Sequence, residues 1–270
     1  MRRWISDGVL FAGHANASAD THRFRRYNAG FLARTVRTTT ELETVEAKDN
    51  GVVTPWAART LANALKAESC RLRRLLLNGT KLRVEGFVPL FEALRHHPTL
   101  ACLEVARGDL CESYVGRNRD RSLGACEACA AMLSLNKKLE ELRLDANDLR
   151  DDGCAVICEA LPKNRSLRVL GLRANDLERI SPGGALARAV ERNATLEALD
   201  LGKNPLTREG PSALATLADA CAGNLGLRRL DLSGSGVDDA PGPRMAFLEP
   251  AAVAIARCLD ANPRLRTVRL

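Results

Sequence analysis

The residues with the most chemical potential in this 270-residue chain are Cys126 and Cys129, spaced as Cys-x-x-Cys, with His96, His97, Cys102 and Cys111 upstream. Thiolates and imidazoles in such patterns are the ligands of tetrahedral zinc sites. A structural zinc of this kind usually brings a second closely spaced ligand pair, and none follows here. Cys126 and Cys129 fall instead within GACEACAAML, a helical pattern in which Cys129 stands four residues before Leu133. Helix packing is their expected role, and no metal is assigned. Cys154 and Cys158 read the same way, each one position after the inward residues Gly153 and Ile157.

Other chemistry is equally hard to place. No G-x-x-x-x-G-K-[ST], G-x-G-x-x-G or H-E-x-x-H occurs. The four histidines are His14 and His22 near the start and His96 and His97 in one loop, so no Ser-His-Asp or Cys-His set can be assembled. The chain reads as non-enzymatic and without a cofactor.

The elements that carry these residues follow a repeat. Leu139-x-x-Leu142-x-Leu144-x-x-Asn147-x-Leu149 is a short strand with a tight asparagine turn, and Gly153, Ile157 and Leu161 then recur at the spacing of one helix face. Repeats start at Leu42, Leu72, Leu100, Leu139, Leu167, Leu196, Leu227 and Leu265, with spacings of 30, 28, 39, 28, 29, 31 and 38. The turn slot holds Asn50, Thr80, Gly108, Asn147, Asn175, Asn204 and Ser235. Asn50, Asn147, Asn175 and Asn204 are the candidate ladder, because a buried amide side chain can pair backbone groups of its own and the neighbouring turn. Leu142 and Leu144, Leu170 and Leu172, and their equivalents point inward, each contributing about 1.5–3 kcal/mol on burial. One layer cannot offset the ordering entropy of nearly thirty residues, so stacking is what makes each viable.

Over residues 38 to 270 this pattern resembles the ribonuclease-inhibitor class of leucine-rich repeats, which also occurs in Ran GTPase-activating proteins and in the sensor domains of NOD-like receptors. The resemblance implies an α/β leucine-rich repeat solenoid, a curved horseshoe segment with a parallel β-sheet on the concave face and α-helices on the convex one. It implies no inherited activity. The leading expectation is a scaffold that binds a protein partner. The alternative is a GTPase-activating regulator of the Ran type, disfavoured because no acidic tail follows the repeats before Leu270.

Composition agrees. Only 4% of the residues are aromatic, as suits many small layers rather than one bulky core. The net charge is +7, but residues 1 to 37 hold seven arginines against Asp7 and Asp20, leaving little for the repeats. Residues 1–27 are expected to be a basic leader, poorly ordered or a degenerate repeat, and residues 28–270 a repeat domain of about seven full repeats plus a terminal strand. The leader also has the Arg-rich, acid-poor composition of an organellar transit peptide. Nine cysteines without a signal peptide point to a reducing compartment, so a cytoplasmic location is expected, with an organellar one as the alternative. No apolar run approaches membrane-spanning length.

Side chains flanking the inward leucines face outward on the sheet. Their acids are Glu46, Glu104, Glu141, Asp145, Asp200 and Asp231, and their bases Lys48, Arg74, Arg143, Arg173, Arg229 and Arg269. Such balance disfavours nucleic acid, which would want a basic stripe, and suits a protein surface of both signs. Repeats 3 and 7 carry insertions, around CESYVGRNRDRSLG and DDAPGPRMAFLEP. Tyr114, Arg117 and Arg119 in the first, and Arg244, Met245 and Phe247 in the second, are candidate rim-loop contacts. The last strand, RLRTVRL, is uncapped in this sequence, so self-association through it is a further expectation.

Overall fold

A computed structural model describes residues 5–6, 9–11, 33–34, 36–37, 42–49, 51–112, 122–178, 184–208, 211–235 and 244–270. The chain divides into two compact units, Met1–Arg143 and Leu144–Leu270. In the first, a sheet runs in the order β1 (Ile5–Ser6), β2 (Val9–Phe11), β3 (Thr44–Glu46), β5 (Arg74–Leu76), β7 (Cys102–Glu104) and β8 (Glu141–Arg143). All its pairings are parallel except β1 with β2. A second, two-stranded sheet joins β4 (Gly51–Val52) to β6 (Thr80–Lys81) at the turns. Helices Pro55–Leu65, Arg83–Leu94 and Gly124–Leu135 alternate with the strands.

In the second unit β9 (Val169–Gly171), β10 (Ala198–Asp200), β11 (Arg229–Asp231) and β12 (Thr267–Arg269) lie parallel and in register. Helices Arg150–Cys158, Ala185–Arg192, Ser212–Ala222 and Arg244–Ala261 accompany them. The backbone of Arg244, Met245 and Phe247 is therefore helical, not part of a loop. Met, Ala, Leu and Glu in RMAFLEP are strong helix formers, and they extend the helix into the inserted stretch. No helix among the described residues is long and apolar enough to cross a membrane.

Register explains the core. Val45, Leu75, Leu103 and Leu142 are opposite one another on adjacent strands of the first unit and are buried, as are Leu170, Leu199 and Leu230 in the second. All eight repeat-starting leucines are buried with them. One helix start is set locally: Thr54 Oγ1 accepts from the Ala57 amide at 3.3 Å, and Pro55 supplies the fixed φ of a first helical residue. Phe87 and Phe91 stack with ring centroids 5.5 Å apart.

Three positions after β3, β5 and each strand from β7 to β11 the chain bends through a left-handed residue. Asp49, Gly79, Arg107, Ala146, Ala174, Lys203 and Gly234 occupy this slot, with φ from 54° to 72°. Only two are glycine, and any other residue there costs about 1–2 kcal/mol. The conformation is held because the amide of the bent residue donates to a carbonyl of the next layer: Ala146 to Arg173 at 2.8 Å, Ala174 to Gly202 at 2.9 Å, Lys203 to Ser233 at 2.7 Å.

Two stability measurements check this packing. Leu144 is 0% exposed, so Leu144→Ala should cost about 2–5 kcal/mol in equilibrium unfolding, and a loss below about 1 kcal/mol would mean the register is wrong. Gly234→Ala isolates the bend, because a Cβ there would meet nothing closer than 3.5 Å. It should cost about 1 kcal/mol from backbone conformation alone, and an unchanged midpoint would remove the argument.

Candidate protein-binding face

Two ladders of buried side chains hold the loops at either end of the strands. At the turn end, Asn175 Oδ1 accepts from the amides of Asn147 (2.9 Å) and Leu149 (3.3 Å), and its Nδ2 donates to Leu144 O at 3.0 Å. Asn204 repeats this one layer on, accepting from Asn175 and Leu177 and donating to Leu172 O. Asn50 lies outside the described residues. Thr80 fills the slot in the first unit by donating to Ala47 O at 2.7 Å. Gly108 fills it because a Cβ would come within 2.5 Å of the Phe87 ring. Ser235 is too short to bridge, and its buried hydroxyl has no hydrogen-bond partner among the described residues.

The second ladder lies where helix turns into strand and was missed in the sequence. Asn136, Asn164, Asn193, Asn224 and Asn262 each stand three residues before a repeat-starting leucine, and that constant offset was the available signal. Asn193 is typical: Oδ1 accepts from Thr195 (2.9 Å) and Leu196 (2.7 Å), while Nδ2 donates to Leu161 O at 2.6 Å in the layer before. His97 occupies the same slot one layer before Asn136 in the first unit. Its Nδ1 accepts from the Thr99 amide at 3.4 Å and the Leu100 amide at 3.1 Å, and Nε2 lies 3.5 Å from Cys70 Sγ. Burial pushes its pKa down to about 4.

On the outward face of the first unit, Glu46 pairs with Lys48 (2.8 Å) and Glu141 with Arg143 (2.7 Å), while Glu104 accepts from Asn78 Nδ2 at 2.6 Å. Arg74 is exposed. Cys102, which flanks the inward Leu103 beside these, is only 4% exposed. Arg74 and Glu141 stand opposite it on the flanking strands, and its thiol donates to Glu141 Oε2 at 3.7 Å. Burial first, then the Glu141 carboxylate, raises this thiol's pKa to about 12.

In the second unit the acids serve the backbone. Asp145 Oδ1 accepts from the Arg173 amide, Asp200 Oδ1 from Gly202 and Asp231 Oδ1 from Ser233, each at 2.9 Å. The Arg173 guanidinium lies 3.2 Å from Ser233 Oγ, 3.7 Å from Asp200 and 3.9 Å from Asp231, and Arg269 approaches Asp231 at 3.5 Å. Burial works upward on the Asp231 carboxyl, but the Ser233 hydroxyl and amide with Arg173 and Arg269 outweigh it and hold the pKa below the ordinary value. Arg229 is exposed. Tyr114, Arg117 and Arg119 lie outside the described residues.

The cysteines pack. All nine are buried: Cys126 Sγ lies 3.6 Å from Cys111 Sγ, Cys154 Sγ 3.7 Å from Cys158 Sγ, and burial pushes the Cys129 thiol up. Among the described residues, Cys102, Glu104 and Glu141 form a three-donor group within 4.8 Å, with the carboxylates already engaged as above.

A strand, a left-handed bend, an asparagine-held turn and a helix, stacked in register, define a leucine-rich repeat protein, and each unit is a stretch of such an α/β solenoid. The Leucine Rich repeat family model matches residues 135–158 and 192–215. Ribonuclease inhibitor from Sus scrofa is 33% identical over 154 residues, covering 56% of this chain and 31% of the inhibitor. Ribonuclease inhibitor from Mus musculus is 30% identical over 173 residues, covering 64% and 35%. NACHT, LRR and PYD domains-containing protein 9 from Bos taurus is 31% identical over 173 residues, covering 57% and 17%. The chain thus spans between 17% and 35% of these relatives' lengths. Among solved structures, the leucine-rich repeat-containing protein LegL7 from Legionella pneumophila matches in fold, with TM-score 0.56 and 17% identity over 93% of this chain and 81% of that one. The chain thus has the leucine-rich repeat fold, and its repeats are similar to those of the ribonuclease inhibitors.

His97 gives the first unit a pH dependence with a definite sign. Its folded pKa of about 4 lies below the roughly 6.5 of an unfolded histidine. Above the unfolded value neither state holds the proton, and this contribution to stability is complete. Between about 6.5 and 4 the unfolded chain binds a proton that the folded one refuses, so stability falls by up to about 1.4 kcal/mol per pH unit. His97→Asn, which places the side chain of the other layers in the slot, should flatten denaturant midpoints across that window while leaving them unchanged or higher at neutral pH. Equal slopes for both proteins would contradict the assignment.

Proposed function

We propose that the chain is a non-catalytic interaction scaffold that binds a protein partner through the outward faces of its sheets, with the insertions of repeats 3 and 7 contributing. The carrying observation is the fixed mixed-charge surface on each unit. Carboxylates and guanidiniums sit on strands in strict register, pre-oriented by the contacts of Glu141 with Arg143 and of Arg173 with Asp200 and Asp231. Charges already held in place lose little freedom when a partner docks, which favours specificity and association rate. The relatives support the same reading, since one class of them carries inhibitor in its name, a role exercised by binding.

Exposed Arg74 and Arg229 are the contacts of choice on the two faces, because the acids around them are committed to local pairing. A photo-crosslinking residue at either position should capture one and the same protein from a native extract. At Arg59 or Arg257, exposed on helices, it should not. Crosslinks only from the helix positions would sink the proposal. Self-association through β12 belongs to it as well, and would show as a crosslink from Thr267 to a second copy.

A further inference from the structure

The second unit separates charge across its strands in a way that no sum along the chain reveals. The four stretches that lead into β9 to β12, residues 162–168, 192–197, 223–228 and 262–266, hold seven Lys and Arg against one carboxylate, Glu197. At the opposite ends of the same strands, stretches 145–152, 173–178, 200–208 and 231–235 hold eight carboxylates against four cations. The strand-start edge is therefore a cationic strip and the turn edge an anionic one.

Backbone bonds fix the strip as a row. The Glu197 amide donates to Arg168 O at 2.7 Å, Arg228 to Glu197 O at 2.8 Å and Arg266 to Arg228 O at 2.9 Å, so these residues follow one another at the strand spacing of about 4.8 Å. Beneath them the buried amides of Asn164, Asn193, Asn224 and Asn262 pin the loops and leave the neighbouring side chains pointing outward. Glu197 is shared by Arg168 at 2.5 Å and Arg228 at 3.7 Å. Lys163, Arg165, Arg192 and Arg266 are exposed and have no ion-pair partner among the described residues. Leu225 stands in the same row, 59% exposed, its carbonyl accepting from Arg264 Nη1 at 3.2 Å.

We propose that this strand-start edge is a docking strip for an acidic peptide segment carrying an apolar residue: carboxylates meet the unneutralised cations, and the apolar side chain covers Leu225. This surface is separate from the outward sheet faces and goes beyond the function proposed for them. Unpaired cations at a fixed pitch attract an anionic chain from solution. A protein segment fits better than nucleic acid because the strip has an apolar centre and has no aromatic ring on which a base could stack.

The test is fluorescence anisotropy on the intact chain with a labelled peptide of Glu and Asp around a central Leu, its Leu-to-Ser analogue, and labelled oligouridine. The Leu peptide should bind best and weaken with rising ionic strength. The pair Arg165→Glu with Arg266→Glu should weaken it by about tenfold or more, and Leu225→Ala by about threefold. Arg208→Gln on the turn edge should change nothing. Circular dichroism confirms that the variants fold, as their exposed positions lead one to expect. No binding at low salt, an equal loss from Arg208→Gln, or tighter binding of oligouridine would overturn the proposal. None of those results bears on crosslinking from Arg74 and Arg229, so the two readings fail independently.

Discussion

The structure depends on side-chain amides buried where backbone would otherwise go unpaired. A strand of three residues cannot satisfy the loops on either side of it, and a buried amide or carbonyl without a partner costs about 1–3 kcal/mol. Asn175 and Asn204 meet that demand at one end of the strands and Asn193, Asn224 and Asn262 at the other, each reaching into the layer before it. Leucine burial supplies most of the energy, but the ladders fix the register in which the leucines meet. Every surface feature, from the outward columns to the strip of cations, inherits its spacing from them.

Much of this was legible in the sequence. The strand leucines, the helix faces and the turn asparagines follow fixed offsets, and the side chains at those offsets are buried as expected. The second ladder was not seen, because asparagine before a strand looks like ordinary loop composition and its partners are backbone atoms of another layer. His97 was hidden for the same reason: a histidine in a loop suggests chemistry until its nitrogens are found bonded to the amides of Thr99 and Leu100. The bend residues were also unreadable, since Ala146, Ala174 and Lys203 give no hint of a left-handed backbone. That conformation is imposed by hydrogen bonds to the next layer and not by local preference.

Charge was misread by direction. Taken along the chain, the repeats look almost neutral, and the outward columns hold equal numbers of acids and bases. Taken across the strands of the second unit, the same residues separate by sign. In a repeat protein each position of the motif becomes a row, so the meaningful tally is by motif position. The outward acids changed meaning too. Asp145, Asp200 and Asp231 bond amides of the turns, which ties them to folding and leaves exposed arginines as the adjustable part of the face.

His97 has one more implication. A stacked array is held by couplings between nearest neighbours, so it parts at whichever coupling is weakest. Asparagine side chains do not titrate, and in the slots that hold them the coupling is indifferent to acid. The slot that joins Cys70 to Leu100 is the exception, because a proton on Nδ1 takes away the acceptor that two amides share. Acidification therefore chooses a seam. The cost of the proton falls on that layer and spares the asparagine slots, a perforation written into the chain by a single residue.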